Sequence, residues 1–146
     1  MALLNPYVSF SGNAREAMEF YQSVFGGKLD VSTFGDFQMP GIDADEADKV
    51  MHSQLTTTGG FTLMGSDVPA SMGQVPDASN ITISISGGES DEIRGYWDGL
   101  AAAGRVSMPL EQAPWGDFFG QLTDKFGVSW MVNIAGSGAP QESAQG

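Results

Sequence analysis

The stretch Asn5-Pro6-Tyr7-Val8-Ser9-Phe10-Ser11-Gly12 is the strongest indication of the fold, because its pattern recurs later in the chain. The second copy is Asn80-Ile81-Thr82-Ile83-Ser84-Ile85-Ser86-Gly87. The two stretches share Asn, Ser, Ser and Gly in the same order, with apolar residues between them. Each reads as a buried strand that leads into a capped helix. Asn13 and Glu16 have the spacing of a capping box, and Ser90 is the predicted cap of the second helix. This shared order indicates an internal duplication.

Outside the two stretches, apolar residues recur at helical spacing in each half, with Gly26-Gly27 ending the first helix and Gly104 the second. The predicted buried positions are Ala14, Ala17, Met18, Tyr21, Val24 and Phe25 in the first helix and Ile93, Tyr96, Trp97 and Leu100 in the second. Strands are predicted at 7–10, 29–34, 49–57, 61–65, 80–85, 105–108, 118–123 and 128–134, and an exposed Asp-rich loop at 35–48.

Two further echoes support the duplication. Gln54-Leu55-Thr56 resembles Gln121-Leu122-Thr123, and Phe61-Thr62-Leu63-Met64 resembles Val128-Ser129-Trp130-Met131. The pattern therefore predicts an α+β fold of two tandem βαβββ modules. The expected organisation is one domain over 1–135, with modules at 4–66 and 80–134, a connector at 67–79 and a disordered tail at 136–146.

Composition restricts the classes of function. The chain has no cysteine, which excludes disulfides, zinc thiolates and cysteine nucleophiles. Its formal net charge of -12 disfavours nucleic-acid binding, because acidic side chains repel the phosphate backbone. Apolar runs are far shorter than a membrane span, and no secretory signal is visible at the N-terminus. We therefore expect a cytoplasmic protein that associates with neither membranes nor nucleic acid.

Several motifs follow one another along the chain. They are Gly12-Asn13-Ala14-Arg15-Glu16-Ala17, Phe20-Tyr21, Phe25-Gly26-Gly27, the His52 strand, Leu63-Met64-Gly65-Ser66-Asp67, Trp115-Gly116 and the run from Asp124 to Asn133. In this order they resemble the PhnB-like branch of the vicinal oxygen chelate superfamily, which includes glyoxalase I, extradiol dioxygenases, fosfomycin-resistance enzymes and bleomycin-binding proteins. The resemblance implies that the two modules curl into a cup of mixed sheet around a ligand cavity, commonly in a homodimer.

Metal-using members of that superfamily place a His or Glu on the first and last strand of each module. By the resemblance, the positions in this chain are Asn5, Met64, Asn80 and Met131. Neutral amides are weak donors without carboxylates, and thioethers suit soft copper(I) more than hard or borderline divalent ions. No resident cofactor is expected, and a divalent metal remains the alternative.

The residues that could carry chemistry are few. His52, the single histidine, is a candidate general base, and strand alternation places Val50 and Gln54 on its face. The alternative is that His52 is a packed or surface residue without a catalytic role. Aromatic and thioether side chains could line a site for an apolar or aromatic ligand, although core packing would also explain them. These candidates are Tyr7, Met64, Trp115, Phe119 and Met131.

Other side chains have mainly structural interpretations. Alternation in the last strand puts Met131 toward the ligand and Trp130 toward the helix layer. Asp and Asn side chains near strand ends are expected to make the local hydrogen bonds of turns. These are Asp67, Asp117, Asp124 and Asn133.

The leading hypothesis is a domain that binds a small organic molecule without a permanently bound metal, in cups lined by Tyr7, Met64, Met131, Trp115 and His52. Whether it turns that molecule over stays open. The alternatives are a metal-dependent lyase, isomerase or dioxygenase, an antibiotic-sequestering protein, and a structural interaction module.

Overall fold

The computed structural model describes residues 2–37, 41–69, 79–88 and 91–136, and it divides the chain into two compact units, Met1–Pro76 and Asp77–Gly146. Each unit contains one four-stranded mixed sheet and one long helix in the order βαβββ. The predicted α+β fold of two modules is confirmed. Ser90, most of the predicted connector and the tail from 137 onward lie outside the described residues, although Asp67, which was assigned to the connector, belongs to a strand.

In the first unit the sheet order is β1-β4-β3-β2, with β1 parallel to β4 and the other neighbours antiparallel. Helix α1 packs on one face of this sheet, and its buried residues match the predicted apolar stripe except that Val24 is half-buried. The elements are β1 (Tyr7–Phe10), α1 (Ala14–Phe25), β2 (Lys28–Thr33), α2 (Phe34–Phe37), a short 3-10 turn (Ala44–Glu46), β3 (Val50–Thr56) and β4 (Thr62–Asp67).

The second unit repeats this topology with the sheet order β5-β8-β7-β6. Helix α3 buries all four residues of its predicted stripe against one face of that sheet. None of the helices in the described ranges has the length and hydrophobicity needed to span a lipid bilayer. The elements are β5 (Ile83–Gly87), α3 (Asp91–Ala101), β6 (Arg105–Gln112), β7 (Phe118–Thr123) and β8 (Ser129–Ile134).

The predicted exposed loop at 35–48 is partly wrong, because it contains part of α2 and the 3-10 turn. Thr33 N donates to Asp36 Oδ2 (2.9 Å), and Gly35 N donates to Ala47 O (2.7 Å). Asp-rich composition suggested a solvated loop, but here an aspartate side chain satisfies a backbone donor where the chain leaves β2. The prediction also began β5 too early and ended β6 too soon.

The hairpin echoes of the duplication are confirmed by strand register. Gln54 pairs with Met64 between β3 and β4, and Gln121 pairs with Met131 between β7 and β8. The turns also correspond. Phe61 N donates to Thr57 Oγ1 (3.1 Å) in the first unit, and Val128 N donates to Asp124 Oδ1 (3.1 Å) in the second.

The predicted alignment of residues 5–12 with residues 80–87 is wrong by two positions. Met64 pairs with Tyr7, whereas Met131 pairs with Ser84. Tyr7 is therefore equivalent to Ser84, and not to Thr82 as the matching letters suggested. The shared Asn, Ser and Gly residues favoured the wrong alignment, whereas the observed register keeps only Ser9 over Ser86 and preserves the alternation of the strand, which a shift of two does not change.

The predicted capping box of α1 is also wrong. Asn13 occupies the N-cap position but makes no side-chain capping hydrogen bond. Instead Asp67, at the end of β4, accepts hydrogen bonds from Gly12 N (2.8 Å) and Ala14 N (2.9 Å) through Oδ1. Its Oδ2 accepts from Val50 N (2.9 Å), so one buried carboxylate joins the start of the helix to two strands. An acceptor distant in sequence, Asp67, thus caps the helix in place of the predicted Asn13 side chain.

Helix α3 contains a group with a shifted pKa. Burial, followed by the hydrogen bond that Tyr96 Oη donates to Glu92 Oε2 (2.6 Å) and the charge of Glu92, raises the pKa of Tyr96 from 10.0 to about 12. The folded state thus favours the neutral phenol, so its contribution to stability is complete below pH 10 and is lost as the pH rises toward 12.

We expect the urea midpoint to fall more steeply between pH 10 and 12 in the wild type than in Tyr96→Phe. Glu92→Gln should lower the pKa of Tyr96, measured by absorbance at 295 nm, and an unchanged pKa would contradict this account.

Candidate functional site

The face of the first sheet opposite α1 brings together several predicted site residues. Tyr7, Met64 and Gln54 lie side by side on β1, β4 and β3, as the strand pairing shows. Alternation along the strands places His52 and Ser66 on the same face. Met64, Gln54, His52 and Ser66 are half-buried, and Tyr7 is 50% exposed. This face is therefore reachable and carries a phenol, an imidazole, a thioether and an amide.

Tyr7 and His52 form a hydrogen-bonded pair on this face. Tyr7 Oη lies 3.2 Å from His52 Nδ1, and the ring centroids are 5.7 Å apart at an interplanar angle of 34°. The two residues come from β1 and β3, which are both neighbours of β4 and so lie about 9.5 Å apart. Both side chains must lean across β4 to meet. The sequence suggested each residue separately but not this contact.

The predicted face of His52 is half right. Gln54 lies on the same side as His52, as alternation requires, but Val50 is buried together with Ser53 and Leu55. The register between β2 and β3 shifts next to Ser32, which pairs with His52, while Thr33 pairs with Val50. This irregularity turns Val50 toward the core, as β-bulges do when they break alternation.

The second unit has a related face opposite α3. Met131 lies beside Gln121 and Ser84, and Phe119 lies beside Asn133. Trp130 points the other way and is buried, as predicted, with its Nε1 donating to Asp124 Oδ2 (2.9 Å). Met131, Gln121 and Phe119 are half-buried. This face holds aromatic and thioether groups, and its role in ligand binding stays a prediction.

Trp115 stands at the tip of the β6–β7 hairpin. It is 64% exposed, and its ring centroid is 6.4 Å from that of Phe119. The tip is closed by Ala113 N donating to Asp117 O (2.7 Å). Asp117 Oδ2 in turn accepts from Asn133 Nδ2 (3.1 Å). The indole therefore lies beside Phe119 with most of its surface exposed.

The positions that correspond to the superfamily's metal ligands do not fit a divalent ion. Asn5 precedes β1, Met64 and Met131 are thioethers, and Asn80 is exposed and lies before β5. By the corrected register the counterpart of Asn5 is Thr82, which also lacks an imidazole or a carboxylate. Within residues 2–37, 41–69, 79–88 and 91–136, no three His, Asp or Glu side chains are grouped in a way that could hold a metal ion. Hard and borderline ions prefer such donors.

The sequence profile of the glyoxalase/bleomycin resistance protein/dioxygenase superfamily matches residues 3–132. The chain belongs to this superfamily. Protein YjdN of Escherichia coli is 30% identical over 143 residues, which cover 90% of this chain and 94% of YjdN. Membership in the glyoxalase superfamily agrees with the two βαβββ units.

Among solved structures, protein PA1353 of Pseudomonas aeruginosa is 37% identical, with a TM-score of 0.80 over 94% of this chain and 100% of that one. A PhnB protein of Bacillus cereus, which carries a provisional 3-demethylubiquinone-9 3-methyltransferase name, is 27% identical. Its TM-score is 0.69 over 92% of this chain and 100% of that one. The chain therefore has PhnB-like neighbours within the glyoxalase superfamily.

Proposed function

We propose that this glyoxalase-superfamily protein binds a small organic molecule on the face opposite α1, against Tyr7, His52 and Met64, and that binding needs no divalent metal ion. The observation that carries the proposal is the Tyr7–His52 contact of 3.2 Å on a reachable sheet face. Sites for small molecules combine aromatic or apolar surface with a few placed polar groups, which is the composition of this face.

The chemistry of the neighbours supports this proposal. Met64 offers a flexible, polarisable thioether that adapts to irregular ligands, and Gln54 beside it offers both a donor and an acceptor. Asp30, which pairs with Gln54, and Lys28 lie on the edge strand β2 of this face and form an exposed ion pair at 3.8 Å, so their opposite charges offset each other. A neutral, partly aromatic molecule fits such a surface better than a strongly charged one.

The second unit carries the same Gln–Met pairing on the face opposite α3, with Phe119 and Trp115 as its aromatic groups. We propose that Met131, Phe119 and Trp115 contribute a second binding surface of related chemistry. If the bound molecule reacts, His52 is the candidate general base, since imidazole transfers protons near neutral pH. Family membership also supports a homodimer, which native mass measurement would test.

The donor set supports the proposed metal independence. Asn5, Met64, Thr82 and Met131 supply amide, hydroxyl and thioether groups, none of which carries the charge that divalent ions in proteins normally require. No reaction step is therefore assigned to a metal ion.

A fragment screen followed by NMR of methionine ε-methyl groups labelled with carbon-13 tests both parts of the proposal. We expect neutral aromatic fragments to shift the Met64 methyl in the presence of EDTA, and added Mn²⁺ or Zn²⁺ to leave the affinities within about two-fold. Met64→Leu, which nearly conserves volume, assigns the signal. The Met18 methyl is the internal control, because this residue lies on the buried side of α1 and is fully inaccessible.

Two results would overturn the proposal. If no fragment shifts Met64 while Met18 stays constant, the face opposite α1 does not bind small organic molecules. Two observations would contradict the proposal that binding needs no divalent metal ion. One is a requirement of fragment binding for Mn²⁺ or Zn²⁺, and the other is one ion per chain in elemental analysis of protein purified without affinity-resin metal.

A further inference from the structure

We propose that the groove between α3 and β6 in the second unit is a separate binding site, which takes a free α-amino acid with an apolar side chain. The groove has a volume of about 350 Å³, within the range of sites for small molecules. It lies on the helix side of the second sheet and is independent of the face opposite α1. Its lining residues are Arg94, Trp97, Asp98, Val106, Pro109 and Leu110.

Much of the groove is apolar. Val106 pairs with the buried Leu122, which places its side chain on the helix side of the sheet, and it is 42% exposed. Trp97 is buried against β7, where a Cβ at Gly120 would lie 2.7 Å from Cη2 of the indole. Gly120 thus allows the indole to lie close to the strand. An aliphatic or aromatic side chain of a ligand would bury apolar surface here.

The wall opposite the helix comes from an irregular part of β6. Its pairing with β7 shifts between Val106 and Met108, and again between Met108 and Glu111. Pro109 and Leu110 lie inside the second shift. Bulges of this kind bend a strand, and Pro109 has no backbone N–H to donate to a neighbour. We attribute the space between β6 and α3 to this bend.

Two side chains of opposite charge border the groove. Arg94 and Asp98 are four residues apart on α3, so they lie on one side of the helix with about 6 Å between their Cβ atoms. The Arg94 guanidinium lies over the Phe118 ring, 4.9 Å from its centroid. A planar guanidinium binds a carboxylate through two parallel hydrogen bonds, and the Asp98 carboxylate accepts hydrogen bonds from an ammonium group.

This pair of charges favours a zwitterion. A simple carboxylate would meet Asp98 as a like charge, and a simple amine would meet Arg94 in the same way. An α-amino acid carries both complementary groups on one carbon atom, and its side chain extends from that atom toward the apolar surface. It therefore interacts favourably with both charged residues and with the apolar lining.

The test compares L-phenylalanine with 3-phenylpropanoate, which lacks the ammonium group, and with 2-phenylethylamine, which lacks the carboxylate. NMR of protein with carbon-13 in the valine, leucine and methionine methyl groups follows the groove through Val106 and Leu110, and Val106→Ile assigns one of these signals. We expect L-phenylalanine to shift both residues with roughly millimolar affinity, as a small ligand in an open groove implies. Each analogue should bind about ten-fold more weakly, because it loses one charge-assisted contact.

Arg94→Gln and Asp98→Asn should each weaken the binding of L-phenylalanine about ten-fold. Arg105→Gln and Asp91→Asn are the matched controls, because they remove the same charges from exposed positions outside the groove. These controls should change the affinity less than two-fold. Equal losses in the groove variants and in their controls would refute the site, since the net charge alone would then explain them.

The two proposals can fail separately. If all three probes shift Val106 with equal affinity, the amino-acid class is refuted. If no probe shifts Val106 or Leu110, the groove is not a binding site. The Met64 methyl, measured in the same sample, reports the face opposite α1, so a fragment that shifts it leaves the proposed function intact in either case.

Discussion

Replacing Asp67 with Ala is expected to lower the free energy of unfolding by about 3 kcal/mol, because three backbone donors, two of them buried, lose a charged acceptor at once. Gly12 N and Ala14 N bond to Oδ1, and Val50 N bonds to Oδ2, at 2.8 to 2.9 Å. Asp67 is only 4% exposed, so water cannot easily replace the carboxylate. Urea denaturation followed by far-ultraviolet circular dichroism measures the loss.

Amide hydrogen exchange gives a sharper measurement of the same change. Protection should fall first at Gly12, Ala14 and Val50. Asp67→Asn should cost less than the alanine variant, because its amide oxygen can keep both bonds to the helix start while its NH2 group faces Val50 N. Asp43→Ala is the control for charge, since Asp43 is exposed and makes no capping bond. If the two alanine variants differ by less than about 0.5 kcal/mol, Asp67 does not hold the helix start.

The capping of α1 by Asp67 could not be predicted from the sequence, although the helix itself could. Asn13 and Glu16 satisfy the local rule for a helix N-terminus, and the helix does begin at Ala14. The capping acceptor, however, comes from β4, and its contact depends on the parallel pairing of β1 with β4. The existence of an element follows from local periodicity, whereas the identity of its cap can depend on tertiary structure.

The faces of the sheets were predictable wherever strands alternate without interruption. Trp130 was placed toward the helix and Met131 away from it, and burial agrees with both assignments. Val50 was misplaced because a register shift between β2 and β3 has no clear sequence signal in that stretch. The sequence predicts a strand at Asn80 because the residues that follow it match those that follow Asn5. The observed register makes Thr82, and not Asn80, the equivalent of Asn5, and the strand begins at Ile83.

The candidate site was predicted as a list of residues and not as a set of contacts. Tyr7 was selected as an aromatic lining residue and His52 as a candidate base, on separate strands far apart in the chain. Only the sheet order β1-β4-β3 brings them within reach of each other. The contact between the Tyr7 and His52 side chains therefore could not be predicted without the order of the strands.

The second large effect is expected at Asp124, which organises the β7–β8 turn. Its Oδ1 accepts from Phe126 N (2.8 Å) and Val128 N (3.1 Å), and its Oδ2 accepts from Trp130 Nε1 (2.9 Å). Asp124→Ala should lower the free energy of unfolding of the second unit by about 3 kcal/mol, because a buried indole N–H loses its carboxylate acceptor along with the two turn bonds. Since all three tryptophans lie in this unit, tryptophan fluorescence in urea reports the loss directly.

Thr57 provides the comparison for Asp124 in the equivalent turn of the first unit, because its neutral hydroxyl accepts from Phe61 N (3.1 Å) and donates to Phe61 O (2.8 Å). Thr57→Ala should cost about 2 kcal/mol, at about 1 kcal/mol for each neutral side-chain hydrogen bond. Trp130→Phe removes the indole donor but keeps the turn, so combining it with Asp124→Ala should cost less than the sum of the two single changes. Strict additivity would show that the Asp124–Trp130 bond contributes nothing, and the cost of Asp124→Ala would then come from its bonds to Phe126 N and Val128 N.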